Sequence, residues 1–240
     1  MCGITGIFDT RGKGQIDRAV LNRMNESQFH RGPDEGGLHI EPGLGLGHRR
    51  LSIIDLSTGQ QPLYNEDQTV CVVFNGEIYN YQELIPELQA LGHTFHTRSD
   101  TEVIVHAWEA WGERCVDRFR GMFAFALWDE KQQTLCIARD KFGEKPFYFH
   151  SSNNVFYFAS EMKAFWALGI ERAPEKKMLL NYLSLGNVQN PSNKQATFYK
   201  GILSLPPAHY ALIPLQSMQV NLKQYWDIDK QFTQKFHEDA

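Results

Sequence analysis

The chain opens Met1-Cys2-Gly3-Ile4-Thr5-Gly6-Ile7-Phe8, so removal of one methionine would leave a cysteine carrying a free α-amine. That arrangement joins a nucleophile and its base in one residue. An α-amine titrates near ~7.7–8.0 and a thiol near ~8.5, so at neutral pH part of the amine is unprotonated and able to take the thiol proton. Gly3 and Gly6 leave room for a substrate beside the backbone. Standing alone, Cys2 would read as a buried structural thiol on a first strand. The chemical reading depends on the segments that follow.

Arg50, in Arg50-Leu51-Ser52-Ile53, closes a strand pattern. Its planar guanidinium is suited to clamp a carboxylate through two parallel charge-assisted hydrogen bonds, although alone it would pass for a surface arginine. Asn75-Gly76-Glu77 follows a buried strand, and an Asn amide beside a Gly N–H can both point at one oxygen, as an oxyanion hole requires. The competing reading is an Asn-Gly hairpin turn, which the helical pattern after Asn80 weakens. Ser99-Asp100-Thr101-Glu102 is a helix-capping signature in which Ser99 can cap while Asp100 faces a ligand ammonium. Arg31-Gly32-Pro33-Asp34 fixes a turn and reads as structural support. His30, like most of the nine histidines, reads as packed or surface, because a terminal amine already supplies a base.

Strands and helices alternate in blocks around these residues. Gly3–Phe8 reads as a buried strand, Ile16, Ala19, Val20 and Met24 as a helix face, and 36–40 and 44–51 as paired strands around Pro42-Gly43. Gly43-Leu44-Gly45-Leu46-Gly47 lacks GxGxxG spacing and a following helix, which leaves a glycine-rich hairpin. An apolar strand over Val70–Phe74 stops at Asn75-Gly76. Helices follow over 81–91, closed by Gly92, and over 101–111, closed by Gly112. Strands over 122–128, 134–138, 147–149 and 155–159, helical patterns over 161–168 and 174–185, and a last strand pair over 209–213 and 220–226 complete the pattern. Two runs of strands with intervening helices predict two stacked sheets flanked by helices, an α+β fold. Residues 1–226 form one domain, and 227–240 is polar and aperiodic, a linker or tail.

The formal charge of −4, from 24 basic and 28 acidic residues well interspersed, gives no nucleic-acid footprint and no polybasic membrane anchor. A small-molecule substrate is expected. Cys2, Cys71, Cys115 and Cys136 are widely spaced, with neither CxxC pairs nor a Cys/His cluster; no metal site and no disulfide framework is predicted. A reducing cytoplasmic location follows. The N-terminus lacks a basic leader, and no stretch approaches the ~18 apolar residues of a membrane span.

Met1-Cys2-Gly3-Ile4, Arg31-Gly32-Pro33-Asp34, His48-Arg49-Arg50-Leu51-Ser52-Ile53, Phe74 to Asn80, Ser99-Asp100-Thr101-Glu102 and Arg139 to Tyr148 occur in order, as in class II glutamine amidotransferases. The chain resembles the glutaminase half of glutamine-hydrolysing asparagine synthetases over its whole length to about Trp226. The resemblance implies a four-layer αββα sandwich of the N-terminal-nucleophile hydrolase type. It implies that Cys2 attacks the side-chain amide of L-glutamine and that its amine moves the proton. Arg50 would grip the α-carboxylate with Leu51, Ser52, Ile53 and Ile54 lining the site, Glu77 and Asp100 would receive the α-ammonium, and Asn75 and Gly76 would hold the oxyanion. No cofactor is expected in this segment. ATP and Mg are expected only in a C-terminal synthetase domain, the partner that would use the ammonia to amidate aspartate, and a homodimer is left open. No Ser-Gly-Gly-type pyrophosphate loop is present, so the chain reads as the N-terminal part of a longer protein, with a free-standing glutaminase subunit as the alternative. Other open readings are a different carboxylate or sugar acceptor, and a silent glutamine-sensing domain.

Overall fold

Side chains along the central strands alternate between two apolar environments, and that alternation produces the layering. The computed structural model describes residues 1–217 and 219–230. Among these residues, twelve strands form two antiparallel six-stranded sheets. The first has the order β10-β8-β9-β1-β3-β2, with β1 Gly3–Asp9, β2 Glu35–Glu41, β3 Leu44–Arg50, β8 Tyr148–Ser152, β9 Val155–Ala159 and β10 Leu203–Ser204. The second has the order β12-β11-β7-β6-β5-β4, with β4 Leu63–Tyr64, β5 Val70–Ile78, β6 Gly121–Asp129, β7 Thr134–Arg139, β11 His209–Pro214 and β12 Asn221–Gln224.

On β5, Val70, Val72 and Phe74 face one cluster while Cys71 and Val73 face another; on β6, Phe123, Phe125 and Leu127 alternate with Ala124, Ala126 and Trp128 in the same way. The period of two, apolar on both faces, is what a strand buried between two layers requires. The inner cluster joins the sheets, with Ile4 and Phe8 of β1 and the rings of Phe156 and Phe158 of β9 packed against Cys71, Val73 and Ala126. An outer cluster lies under α2 Tyr81–Ala90, α3 Asp100–Trp111 and the short α4 Cys115–Arg118. The other outer cluster lies under α1 Arg18–Glu26 and a 3₁₀ segment, Met162–Leu168. The layers are therefore helix, sheet, sheet, helix, the αββα order expected. α5 Lys176–Leu185 follows the 3₁₀ segment and leaves Leu180, Leu183 and Leu185 exposed.

Three local expectations change. The strand predicted to stop at Asn75-Gly76 runs on to Ile78, because Asn75, Gly76 and Glu77 keep register with Ala124, Phe123 and Met122. The helical pattern over 161–168 is 3₁₀ rather than α, a winding that suits a short segment placing Ala164 and Phe165 in the core before the left-handed Gly169. Ile16 precedes α1, since Asp17 caps it by accepting from Ala19 N at 2.8 Å. Of the tail predicted for 227–240, residues 231–240 lie outside the described residues. No helix among the described residues is long and apolar enough to cross a membrane.

Candidate active site

β1 begins directly after Cys2, and its neighbours fix the backbone there. Arg31 Nε donates to the Cys2 carbonyl at 2.8 Å while Arg31 Nη1 reaches Glu161 Oε1 at 3.1 Å. Two residues on, Ile4 N donates to Ser160 Oγ at 3.0 Å and the Ile4 carbonyl accepts from Gln28 Nε2 at 3.2 Å. The turn at Arg31-Gly32-Pro33-Asp34 thus supports the nucleophile's own residue. Cys2 Sγ lies 3.8 Å from the Leu51 carbonyl. Burial raises its thiol above the ordinary range, more than the Leu51 contact and the nearby Arg50 charge lower it. The thiol is therefore protonated at neutral pH and needs a base to become a nucleophile.

A cleft of about 150 Å³ opens beside the sulfur. Of the ten candidate site residues, all but Ser52 line it. Ser52 serves the wall indirectly, its N–H donating to Asp34 Oδ2 at 2.8 Å.

The far wall is the outer edge of β5. β4 covers that edge only as far as Val72. Beyond it, Phe74 N donates to Gln61 Oε1 at 2.7 Å and Ile78 N donates to Asp100 Oδ2 at 2.8 Å. Because strand N–H groups alternate in direction, Gly76, midway between them, turns its N–H to the same edge, in the cleft. A side chain at Gly76 would run into Met122 O and come within 2.7 Å of Phe123 Cα. Asn75 is 1% exposed, and neither Nδ2 nor Oδ1 of its amide has a hydrogen-bond partner among the described residues. A buried amide with both ends unpaired costs stability, which points to a polar group it meets only when substrate is bound.

Asp100 and Glu77 stand at the other end. Ser99 caps α3, its Oγ accepting from Thr101 N at 3.2 Å, which leaves Asp100 to the cleft. Burial, then the nearby Glu77 charge, raise Asp100 to about 6. Two carboxylates side by side in one cleft make a receptor for a cationic group.

Arg50 is buried in the opposite wall, with its fork already engaged. Nη1 donates to Glu35 Oε2 at 3.0 Å, and Nη2 donates to both the Ile54 carbonyl, at 3.0 Å, and the Asp55 carbonyl. The two-bond grip expected for a carboxylate is thus not the geometry present. Arg50 brings its charge to the cleft and folds the 51–59 loop around itself.

Residues 1–226 match the family described as a glutamine amidotransferase domain. The chain belongs to that family. Similar proteins include asparagine synthetase [glutamine-hydrolyzing] 3 of Bacillus subtilis, 37% identical over 96% of this chain and 37% of the relative. Another is asparagine synthetase [glutamine-hydrolyzing] 3 of Arabidopsis thaliana, 44% identical over 68% and 28%. This amidotransferase domain therefore spans about a third of the length of such relatives. Among solved structures, the glutamine phosphoribosylpyrophosphate amidotransferase of B. subtilis superposes with a TM-score of 0.64 at 20% identity, covering 92% of this chain and 50% of that one. That likeness supports the sandwich fold.

Sequence reasoning missed part of the amidotransferase cleft. Gln61 ties β5 to α3, since its Oε1 holds Phe74 N and its Nε2 donates to Thr101 Oγ1 at 3.3 Å. Lys145 is buried at the rim, its backbone N donating to Asp140 Oδ2 at 2.9 Å. The Arg139 to Tyr148 motif carried the signal for Lys145, but Gln61 stands in a stretch with no motif.

Proposed function

We propose that this domain hydrolyses L-glutamine to L-glutamate and ammonia with Cys2 as N-terminal nucleophile. The observation that carries the reading is the unpaired Asn75 amide and the outward Gly76 N–H in the same cleft as the Cys2 thiol. Trimming of Met1 gives Cys2 the terminal amine. In the full chain the amine at this end is pulled below its ordinary value by burial and by the Arg31 and Lys145 charges, against the raising effect of Cys2. The same surroundings favour a neutral amine able to take the thiol proton.

The Cys2 thiolate then adds to the amide carbon of glutamine. Gly76 N–H and Asn75 Nδ2–H donate to the oxyanion, and the protonated amine gives its proton to the departing ammonia. The resulting thioester is cleaved by water, which restores the thiol and releases glutamate. Glu77 and Asp100 hold the substrate ammonium, and Arg50 supplies positive charge for its carboxylate. ATP and Mg belong to the chemistry of a C-terminal synthetase domain, the partner that amidates aspartate with this ammonia. The names and greater length of the relatives support that reading. All four cysteines are free, in keeping with a reducing cytoplasm.

The test is an ATP-free assay on protein whose loss of Met1 has been verified by intact mass. Glutamate and ammonia are expected in equal amounts from the parent chain, with none from a folded Cys2→Ala variant. Near-parental turnover by that variant would overturn the mechanism. Absence of turnover from trimmed, folded parent protein, with glutamine still bound, would instead favour the silent sensing domain.

A further inference from the structure

On the face of α3 away from the cleft, four side chains from three segments converge. Glu66 lies in the turn between β4 and β5, His93 follows α2, and His106 and Glu109 stand one turn apart on α3. His106 Nδ1 is 3.6 Å from Glu66 Oε2 and 3.6 Å from Glu109 Oε2, and His93 Nδ1 is 3.7 Å from Glu109 Oε2. The four facing atoms lie within 4.8 Å of one another. These separations are too long for hydrogen bonds. The three distances of 3.6–3.7 Å are close to the roughly 3.3–3.6 Å edges of a tetrahedron whose corners sit about 2.0–2.2 Å from a central zinc, and the remaining separations would have to close on the ion.

A second observation is independent of that spacing. His106 is 1% exposed, yet neither of its ring nitrogens has a hydrogen-bond partner among the described residues. Its far nitrogen, Nε2, faces Glu102 Oε1 at 3.6 Å. Glu102 is itself anchored, accepting from His96 N and Thr97 N, both at 2.7 Å. The outer oxygens of the other two carboxylates are also held from behind: Glu66 Oε1 accepts from Thr94 N at 2.9 Å and Glu109 Oε1 accepts from Asn65 Nδ2 at 2.8 Å. Carboxylates held from behind with their inner oxygens converging are the support that metal ligands use, and Glu102 stands where a small shift of His106 toward an ion would let it accept from Nε2.

We propose that Glu66, His93, His106 and Glu109 bind one divalent cation of the zinc class. Two imidazoles with two carboxylates select that class over Mg or Ca, which take oxygen ligands at six or more positions. The ion would pin the 93–98 segment and the β4–β5 turn to α3, the helix whose first residue is Asp100 in the cleft. In the absence of a cation, burial opposes a charge on His106 but Glu102, Glu109 and Glu66 outweigh it and raise the ring to about 9. A proton is thus the rival occupant.

The experiment uses metal-stripped, tag-free protein carrying Cys2→Ala, which removes the cleft thiol as a competing ligand. Zn²⁺ is titrated by calorimetry and Co²⁺ by visible absorbance. One equivalent of zinc, a tetrahedral Co²⁺ band and a raised melting temperature are expected. His93→Asn and Glu66→Gln, changes at half-buried and exposed positions that keep the fold, should each weaken binding at least about tenfold, and Glu102→Gln about 10–100-fold. No binding up to about 0.1 mM zinc would overturn the proposal in favour of the proton. Undiminished affinity in both His93→Asn and Glu66→Gln would also overturn it, since the ion would then sit elsewhere.

Discussion

Asn75 and Asp100 each sacrifice stability to the cleft, and each sacrifice is measurable. Replacing Asn75 with Ala removes an oxyanion donor whose partner develops only in the transition state, so kcat should fall by about 10²–10³ while the glutamine KM changes little. The same change removes a buried, unpaired amide, so the melting temperature should not fall. A KM increase at constant kcat would make Asn75 a binding residue instead. Asp100 titrates at about 6 in the fold against an ordinary 3.8. Its ionised form is therefore disfavoured by folding, and that cost is fully present above pH 6 and vanishes as pH falls through the ordinary carboxylate range. Asp100→Asn should accordingly melt higher than the parent at pH 7.5, by an increment worth up to about 3 kcal/mol, with the advantage gone near pH 4. In the parent, glutamine KM should climb as pH drops below about 6, because a protonated Asp100 no longer pairs with an ammonium. Melts and Michaelis kinetics across pH 4–8 check both statements. A lower melting temperature for the variant at pH 7.5 would show the carboxylate to be at ease where it is.

Among the elements, the 51–59 loop depends on one guanidinium. Arg50 reaches Glu35, Ile54 and Asp55 at once, a span that a lysine ammonium cannot reproduce. Arg50→Lys should raise glutamine KM by about tenfold or more and make the loop, with its exposed Ile53 and Leu56, a faster site of proteolysis. Normal KM and unchanged cleavage would relieve Arg50 of both roles. Most elements that carry the site were legible in the sequence, because the period of two and the glycines closing the helices at Gly92 and Gly112 are local signals. The continuation of β5 through Asn75-Gly76 was not. That dipeptide has the composition of a turn, and only pairing with Ala124 and Phe123 of β6, far along the chain, keeps it extended. The mispredicted stop matters chemically, since an extended Gly76 shares the orientation of Phe74 and Ile78 and so offers its N–H to the cleft. The Glu66, His93, His106 and Glu109 cluster was invisible for a related reason: its members are spread over 43 residues from first to last with no metal-binding spacing, and only the packing of α3 against two turns assembles them.

At the scale of the whole molecule, the two sheets meet at the nucleophile. Buried His48 of β3 in the first sheet bonds through Nε2 to the Phe74 carbonyl of β5 in the second, at 2.9 Å. Burial holds His48 down at about 3, so the ring stays neutral through the working pH range and acts as a fixed tie rather than a base. The cleft should then lose its geometry only when the sandwich comes apart. On heating, glutaminase activity and near-ultraviolet circular dichroism should fall together, and activity lost well before the spectral change would show that the site melts on its own. The placement of β1 has one more consequence. All seven of its residues are buried between β3 and β9, although a chain end is ordinarily the first part of a protein to fray. Deuterium from solvent should enter the amides of Gly3–Asp9 as slowly as those of β5 and β6, and long after those of the 51–59 loop. Heat-stressed samples will accordingly contain molecules whose nucleophile is held in place or molecules with no folded core, and few with a frayed N-terminus on an otherwise folded sandwich.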